Sequence, residues 1–378
     1  MKHIIIQIES IMKYPPTLSL IKILKEFGHD IVLCTSSVDD SVIGLCNDNG
    51  ISLRNVGHSY SPENSAVLKM VKIPLIRAGI SGTLKDEYNY DSVIWVMTSI
   101  TLKYIGNILF DKRYIMYMYE LSQEIRYYPR LSFPKVSLEK LFQGASAVIE
   151  CEYNRAHIAK AWFGLEHLPY VVPNKPYIDR LDARMHISDE YCAGIINEIK
   201  DRTIIIYQGI IDPERPLEPF IDAVAEMGEK YALVIMSSDI EKVRDKVRTN
   251  TYLFPFVTPP MHLQITSWAD IGILTYVPVR GETTSPLNAV YCAPNKIFEY
   301  AMFGIPMLGN DVPGLTSEFS KHGIGVTFGS FCKNDIIEAI KMILENYTNY
   351  KNNAYEYYTK TDNNKEFRRI LLEVEQKK

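Results

Sequence analysis

Residues 203–236 read TIIIYQGIIDPERPLEPFIDAVAEMGEKYALVIM, and their pattern decides the fold. The segments 203–207 and 232–236 are short apolar runs rich in β-branched residues, which predict strands. Between them, residues 217–227 repeat apolar side chains at helical spacing. A strand, a helix and a strand in this order predict a βαβ unit. Strands that are apolar along their whole length are typical of a parallel sheet covered on both faces.

The same alternation extends in both directions from this stretch. Further apolar runs predict strands at 4–6, 31–34, 93–97, 114–118, 147–149, 270–274 and 305–308. Pro169, Pro173 and Pro176 fall within eight residues, which excludes a helix there and predicts an inter-domain linker. The C-terminal tail is helical in pattern and has one apolar face, formed by Phe367, Ile370, Leu371 and Val374.

We therefore expect an α/β fold with two Rossmann-like, doubly wound domains that face a cleft. The first domain is predicted to span 1–172 and to be joined by a C-terminal helix, 355–378. The second is predicted to span 173–354. Ligands of open α/β sheets bind outside the carboxyl ends of the strands, so each domain can hold one substrate.

Length and composition agree with this organisation. A chain of 378 residues suits two domains, and 41 basic against 45 acidic residues give a net charge of −4, which argues against nucleic acid as a partner. No apolar run is long enough to span a membrane. The six cysteines include no C-x-x-C pair and the eight histidines show no metal-ligand spacing. We expect a cytoplasmic protein without a bound metal.

A second stretch, LNAVYCAPNKIFEYAMFGIPMLGNDVPG at 287–314, carries candidate chemistry. Pro294 suits the start of a helix that is predicted over 295–303, and Gly304 suits its end. Lys296 and Glu299 then share one face. A helix start with a lysine favours an anion, and a carboxylate one turn later can accept hydrogen bonds from a vicinal diol. An ordinary amphipathic helix with a solvated ion pair is the alternative.

This stretch resembles the donor-site signature of the GT-B glycosyltransferases of family 4, a large retaining family. The matching residues, in register, are Pro294, Lys296, Glu299, Tyr300, Gly304, Pro306, Asp311, Pro313 and Gly314. The resemblance implies that Glu299 binds the ribose hydroxyls of a nucleotide sugar. It also implies that the helix start, with Asn295 and Lys296, lies near the diphosphate.

The loop 207–217 is similar to the family's glycine- and arginine-containing phosphate loop. Gly209 would let the backbone approach a ligand, and Arg215 would neutralise the pyrophosphate. The family's first arginine is missing, because Ile210 and Ile211 stand in its place. A solvated loop cation is the alternative interpretation of Arg215.

Two departures from the family pattern concern catalysis and the donor sugar. Tyr291 replaces the first glutamate of the usual pair, so Asn288 and Tyr291 in the segment 285–292 are the candidate sugar-binding residues. In the first domain, Tyr119 and Glu120 replace the family's His-Glu pair. Both are candidate catalytic residues, although Glu120 could equally well cap the next loop.

Residues 69–85 combine basic and apolar side chains without an acid. The cations are Lys69, Lys72, Arg77 and Lys85. This surface would suit peripheral contact with an anionic bilayer, while helix packing beneath a basic edge is the alternative. Pro74 and Gly79 are predicted to interrupt any long helix.

These features predict a glycosyltransferase. It would move a sugar from a nucleoside-diphosphate sugar, with UDP favoured over GDP, to a glycan or a lipid-linked saccharide in surface polysaccharide or glycoconjugate synthesis. The resemblance implies retention of configuration, and no cofactor is expected because the nucleotide sugar is a substrate. The alternative is a non-catalytic protein of GT-B fold that stabilises a partner or serves as a sugar-binding subunit. A nicotinamide dehydrogenase is disfavoured, since no G-x-G-x-x-G follows the first strand.

Overall fold

The computed structural model describes residues 1–57, 66–124, 137–178, 181–279 and 285–376, with side chains from residue 71 onward in the second of these ranges. The chain divides into two compact units. Apart from the undescribed positions, the first contains residues 1–177, 285 and 362–378, and the second contains residues 178–281 and 286–361.

The first unit is built on a seven-stranded parallel sheet with the strand order β3-β2-β1-β4-β5-β6-β7. Strand order reverses direction beside β1, as in a doubly wound sheet. Along β1, Ile4 and Ile6 enter the core on one face while Ile5 enters the core on the other. The strands are β1 (Lys2–Ile6), β2 (Asp30–Thr35), β3 (Ser52–Asn55), β4 (Ser92–Met97), β5 (Tyr114–Met118), β6 (Ala147–Glu150) and β7 (Tyr170–Val171).

Helices cover both faces of this sheet. They are α1 (Pro15–Glu26), α2 (Asp40–Asp48), α3 (Ala66–Glu87), α4 (Thr98–Ile105), α5 (Leu138–Gln143), α6 (Tyr153–Phe163) and, from the end of the chain, α15 (Asn363–Gln376). The predicted apolar face of α15 is buried in the core. Its Phe367 ring packs edge-on against Trp95 and Tyr117, with ring centroids 6.0 and 5.9 Å apart.

The second unit is built on a six-stranded parallel sheet with the order β10-β9-β8-β11-β12-β13. The strands are β8 (Thr203–Gln208), β9 (Tyr231–Met236), β10 (Thr251–Phe254), β11 (Ile271–Leu274), β12 (Met307–Asn310) and β13 (Gly325–Phe328). The helices are α7 (Glu190–Ile199), α8 (Glu218–Met227), α9 (His262–Thr266), α10 (Leu287–Val290), α11 (Lys296–Ala301), α12 (Pro313–His322), α13 (Lys333–Glu345) and α14 (Tyr347–Lys360).

The predicted fold class of two Rossmann-like, parallel-sheet domains is confirmed. The structure adds detail at two predicted boundaries. Within the proline-rich segment, which is predicted to be a linker, Tyr170–Val171 pairs with β6 as an edge strand, and the first unit ends directly after the segment, at Tyr177. The tail is two helices, α14 and α15, of which only α15 belongs to the first unit, so the division falls at 361–362.

The prediction that Pro74 and Gly79 interrupt the basic segment is wrong, because α3 continues through both residues. Proline in a helix costs about 3 kcal/mol or more, and burial of Ile76, Ile80 and Leu84 on the inner face offsets that cost. The side chain of Lys69 falls outside those described. Among the described residues, no helix is both long and apolar enough to cross a membrane.

Candidate functional site

Four of the predicted donor-site residues come together in the second unit, beside the carboxyl end of β8. Gly209 directly follows that strand and has φ +135°, a conformation that favours glycine. A Cβ atom at this position would lie 2.9 Å from the Nζ atom of Lys296. The absent side chain at Gly209 therefore leaves room for the Lys296 ammonium against the backbone.

Lys296 and Arg215 approach the same tyrosine ring. The Lys296 Nζ atom lies 5.9 Å from the centroid of the Tyr276 ring, and the Arg215 Cζ atom lies 5.3 Å from it. Lys296 also lies 5.5 Å from the centroid of the Tyr207 ring. Burial, together with the neighbouring Arg215 charge, lowers the pKa of Lys296 to about 8. Two cations that approach the same ring can together contact one anion.

Arg215 is oriented by acidic residues in its own loop. Its guanidinium lies 2.5 Å from the Asp212 carboxylate and 3.5 Å from that of Glu214. The backbone of this loop is fixed in turn, because the Val277 N–H donates to the Glu214 carbonyl at 2.7 Å. The Arg215 side chain is 21% exposed, so the interpretation as a fully solvated loop cation does not describe it.

Glu299 is held in a polar pocket on α11. The Gln208 side-chain amide donates to Glu299 Oε2 at 2.5 Å, and His262 Nε2 lies 3.6 Å from Glu299 Oε1. Burial favours the neutral acid, but His262, Lys296 and Gln208 outweigh it and lower the pKa of Glu299. The carboxylate is charged at neutral pH and 13% exposed, so Glu299 is not part of a solvated ion pair.

Gln208, Thr266 and His262 were not predicted as members of this site. The Thr266 hydroxyl donates to Gln208 Oε1 at 2.6 Å, and Gln208 bridges it to Glu299. The only signal in the sequence was a polar residue at the end of an otherwise apolar strand, Gln208 after Tyr207. Nothing in the sequence marked His262 and Thr266, which lie on the short helix α9.

The predicted sugar-binding segment forms the short helix α10 and the turn that follows it. Asn288 lies in α10, Tyr291 directly follows it, and both side chains are partly buried. Asn295 is the residue before α11, and its side chain makes no capping hydrogen bond. Gly314 packs onto this turn, since a Cβ there would lie 2.6 Å from the backbone nitrogen of Cys292. The glycine of the Asp-x-Pro-Gly turn thus has a packing role beneath the segment.

The predicted catalytic residues lie in the first unit, after β5. Tyr119 is buried, and its hydroxyl lies 2.9 Å from the hydroxyl of Thr17, which donates to Gln7 Oε1 at 2.6 Å. The Tyr119 side chain therefore belongs to the interior of that unit. Glu120, the next residue, is exposed.

Solved structures similar to this chain were found, but no similar sequence was. No family model matches the chain, and no curated protein matches it. HepE of Anabaena in complex with UDP and glucose superposes with a TM-score of 0.67 at 14% identity, over 98% of this chain and 99% of that one.

Two further structures are similar over nearly their whole length. A glycosyltransferase from Rickettsia africae gives a TM-score of 0.64 at 9% identity, over 99% of this chain and 98% of that one. Sucrose-phosphate synthase from Thermosynechococcus elongatus gives 0.63 at 12% identity, over 99% and 97%. At these identities the likeness concerns the fold, and the chain has the GT-B fold.

Proposed function

We propose that this chain is a glycosyltransferase that uses a nucleoside-diphosphate sugar, with UDP favoured over GDP. The acceptor would be a glycan or a lipid-linked saccharide, in the synthesis of surface polysaccharide or glycoconjugate. The observation that carries the proposal is the pairing of Lys296 and Arg215 against Tyr276, with the Glu299 carboxylate nearby. Two cations suit a diphosphate, and a carboxylate suits a ribose diol.

The chemistry follows from where charge develops. When the bond between the sugar and the diphosphate breaks, negative charge grows on the departing diphosphate. Lys296 and Arg215 are already positioned, so they can stabilise that charge without rearrangement. Asp212 and Glu214 keep Arg215 oriented before the ligand arrives. Transfer with retention of configuration and membership of family 4 rest on the resemblance of 287–314 to that family.

Several other expectations remain part of this proposal. Gly209 and Asn295 would border the diphosphate, Asn288 and Tyr291 would contact the donor sugar, and Glu120 would position the acceptor. We place the reaction in the cytoplasm and assign no nucleic-acid partner. Peripheral membrane contact through α3 is retained as an alternative, since its outer face exposes Val71 and Leu75 at 58% and 44%.

A non-catalytic nucleotide-sugar-binding subunit is a second candidate function. The burial of Tyr119 favours it, because this residue stands where relatives have a histidine and its hydroxyl is engaged with Thr17. The two candidates share the donor site and differ only in turnover.

One experiment separates these functions. Binding of UDP, GDP and ADP is measured by calorimetry, and nucleotide release from UDP-glucose and GDP-mannose is measured with a panel of glycoside acceptors. The variants K296M and R215M should lose UDP binding, whereas K230M, an exposed lysine in the same unit, should keep it. UDP binding without turnover across the panel would favour the subunit. Absence of any nucleotide binding would contradict both.

Metal removal tests the proposed role of the cations. Among the described residues, no group of three His, Cys, Asp or Glu side chains is arranged to hold a metal ion. We propose that Lys296 and Arg215 take the role of a divalent cation. Sugar transfer should therefore persist after dialysis against EDTA, and added Mg²⁺ or Mn²⁺ should leave the initial rate unchanged. A rate that disappears with EDTA and returns with Mn²⁺ would contradict this assignment.

A further inference from the structure

We infer that Gln208 is a positioning residue that turns the Glu299 carboxylate toward the 2′-hydroxyl of the ligand, so that the site selects ribonucleotides over 2′-deoxyribonucleotides. This inference rests on the proposed function, because it requires a nucleotide at the site. The ribose contact of Glu299 is what the family resemblance implies, and the new part is that Gln208, held by Thr266, orients that carboxylate.

The orientation of the Gln208 amide is fixed by the chemistry of its neighbours. A carboxylate only accepts hydrogen bonds, so the nitrogen end of the amide must face Glu299. The oxygen end then faces the Thr266 hydroxyl, which donates to it at 2.6 Å. Gln208 is 4% exposed and Thr266 is fully buried, so water does not compete for either contact. The His262 carbonyl lies 3.0 Å from the same hydroxyl, so the shorter contact to Gln208 is the one that orients the amide.

The same contacts leave Glu299 able to bind a diol. Each carboxylate oxygen can accept about two hydrogen bonds. Gln208 uses one position on Oε2, and His262 Nε2 lies 3.6 Å from Oε1, on the other oxygen. One position on each oxygen remains for a ligand, and the side chain is still 13% exposed. Two acceptors with a fixed separation match the 2′- and 3′-hydroxyls of a ribose.

Without Gln208 the His262 contact remains, but at 3.6 Å it is too long to hold the Glu299 carboxylate against rotation about its terminal torsion. The affinity for UDP should then fall toward that for 2′-deoxy-UDP. A hydrogen bond to a charged group corresponds to a factor of about tenfold or more in affinity. The ratio of the two dissociation constants thus reports on the orientation of Glu299, and a general loss of stability would not change it.

The test measures UDP and 2′-deoxy-UDP binding by calorimetry in matched variants. The wild-type protein should bind UDP about tenfold or more tightly than 2′-deoxy-UDP. In Q208L and T266V that ratio should fall to about twofold or less, while T266S, which keeps the hydroxyl, should retain it. N250L is the control: it removes another buried amide of this unit, one that donates to the Val224 carbonyl at 2.7 Å. Its melting temperature should fall while the ratio persists.

Each outcome bears on a separate conclusion. A wild-type ratio near one, with UDP still bound, overturns this inference and leaves the diphosphate site intact. If Q208L keeps the wild-type ratio of the two dissociation constants, the inference is also overturned, because Glu299 would then be oriented without Gln208. Absence of UDP binding in the wild-type protein overturns the proposed function itself.

Discussion

The charge of Lys296 depends on pH within the range in which the protein can be assayed. Its pKa of about 8 in the free protein means that it loses its proton as the pH rises through that value. Terminal phosphates are fully ionised by then, since their second pKa is about 6. The affinity for UDP should therefore fall between pH 7 and pH 9, whereas K296R, which stays charged, should show little change. Calorimetry at the two pH values tests this. An equal change in UDP affinity in the wild-type protein and in K296R would contradict it.

The lowered pKa of Lys296 also bears on stability. The unfolded chain, with an ordinary lysine pKa of about 10.4, binds more protons than the folded protein between that value and pH 8. The charged side chain therefore destabilises the free protein at neutral pH. K296M should raise the melting temperature of the ligand-free protein while abolishing the further increase that UDP causes. A lower melting temperature in K296M would show that Lys296 contributes to packing.

Gly209 allows a test of close approach at the same site. In G209A the new methyl group would lie 2.9 Å from Lys296 Nζ, on a backbone with positive φ. G228A introduces the same kind of backbone strain, φ +86°, but meets no atom within 4 Å. Both variants should lose about 1 kcal/mol or more of stability. Only G209A should weaken UDP binding, by about tenfold, as measured by calorimetry. Equal UDP affinities of G209A and G228A would contradict a role for Gly209 at the ligand.

The residues of the candidate site differ in how far the sequence could reveal them. Lys296 and Glu299 are three positions apart, and a helix brings them together by local geometry alone. Gln208 meets Glu299 across 91 residues of chain and Thr266 across 58. These contacts depend on how β8, α9 and α11 pack, which no local pattern specifies. The buried partner of Tyr119, Thr17, was hidden for the same reason.

At the scale of elements, the position of α11 depends on a missing side chain in β11. A Cβ at Gly272 would lie 2.4 Å from the Tyr300 ring, so the helix packs directly onto the strand there. G272A should push α11 outward and displace Lys296 and Glu299 together. We expect a loss of about 1–3 kcal/mol in stability and weaker UDP binding.

The control for Gly272 is G194A in helix α7, where a Cβ meets no atom within 4 Å. Alanine favours a helix, so this variant should melt at the same or a higher temperature than the wild-type protein. Thermal melting with and without UDP checks both variants. An unchanged UDP shift in G272A would show that α11 does not need this close contact.

Strands were predictable where they are buried on both faces and missed where they lie at an edge. The apolar runs at 4–6, 93–97 and 114–118 all lie inside β1, β4 and β5. Strand β3, Ser52–Asn55, is mostly exposed and polar, and β7 has two residues between prolines. Continuous apolar runs are typical of strands buried on both faces, and the faces of β3 and β7 are partly exposed, so such a run is not required of them.

At the scale of the whole molecule, α15 makes the end of the chain part of the first unit. Phe367 is 1% exposed and packs against Trp95 at the centre of the sheet. F367A should therefore cost about 3–5 kcal/mol of stability. L372A changes a side chain on the same helix that is 58% exposed, and should cost little. Chemical denaturation tests both; similar losses would show that α15 is held by other contacts.

The placement of α15 has a consequence for how the protein is made. A ribosome synthesises β1 through β7 first, then the whole second unit, and only afterwards α15. Domains commonly fold in the order in which they emerge. Here α15 can cover the surface around Trp95 and Tyr117 only after the second unit has been translated. The first unit therefore cannot complete its folding before then. The second unit has all of its strands before that point, so it is the one that can finish folding first.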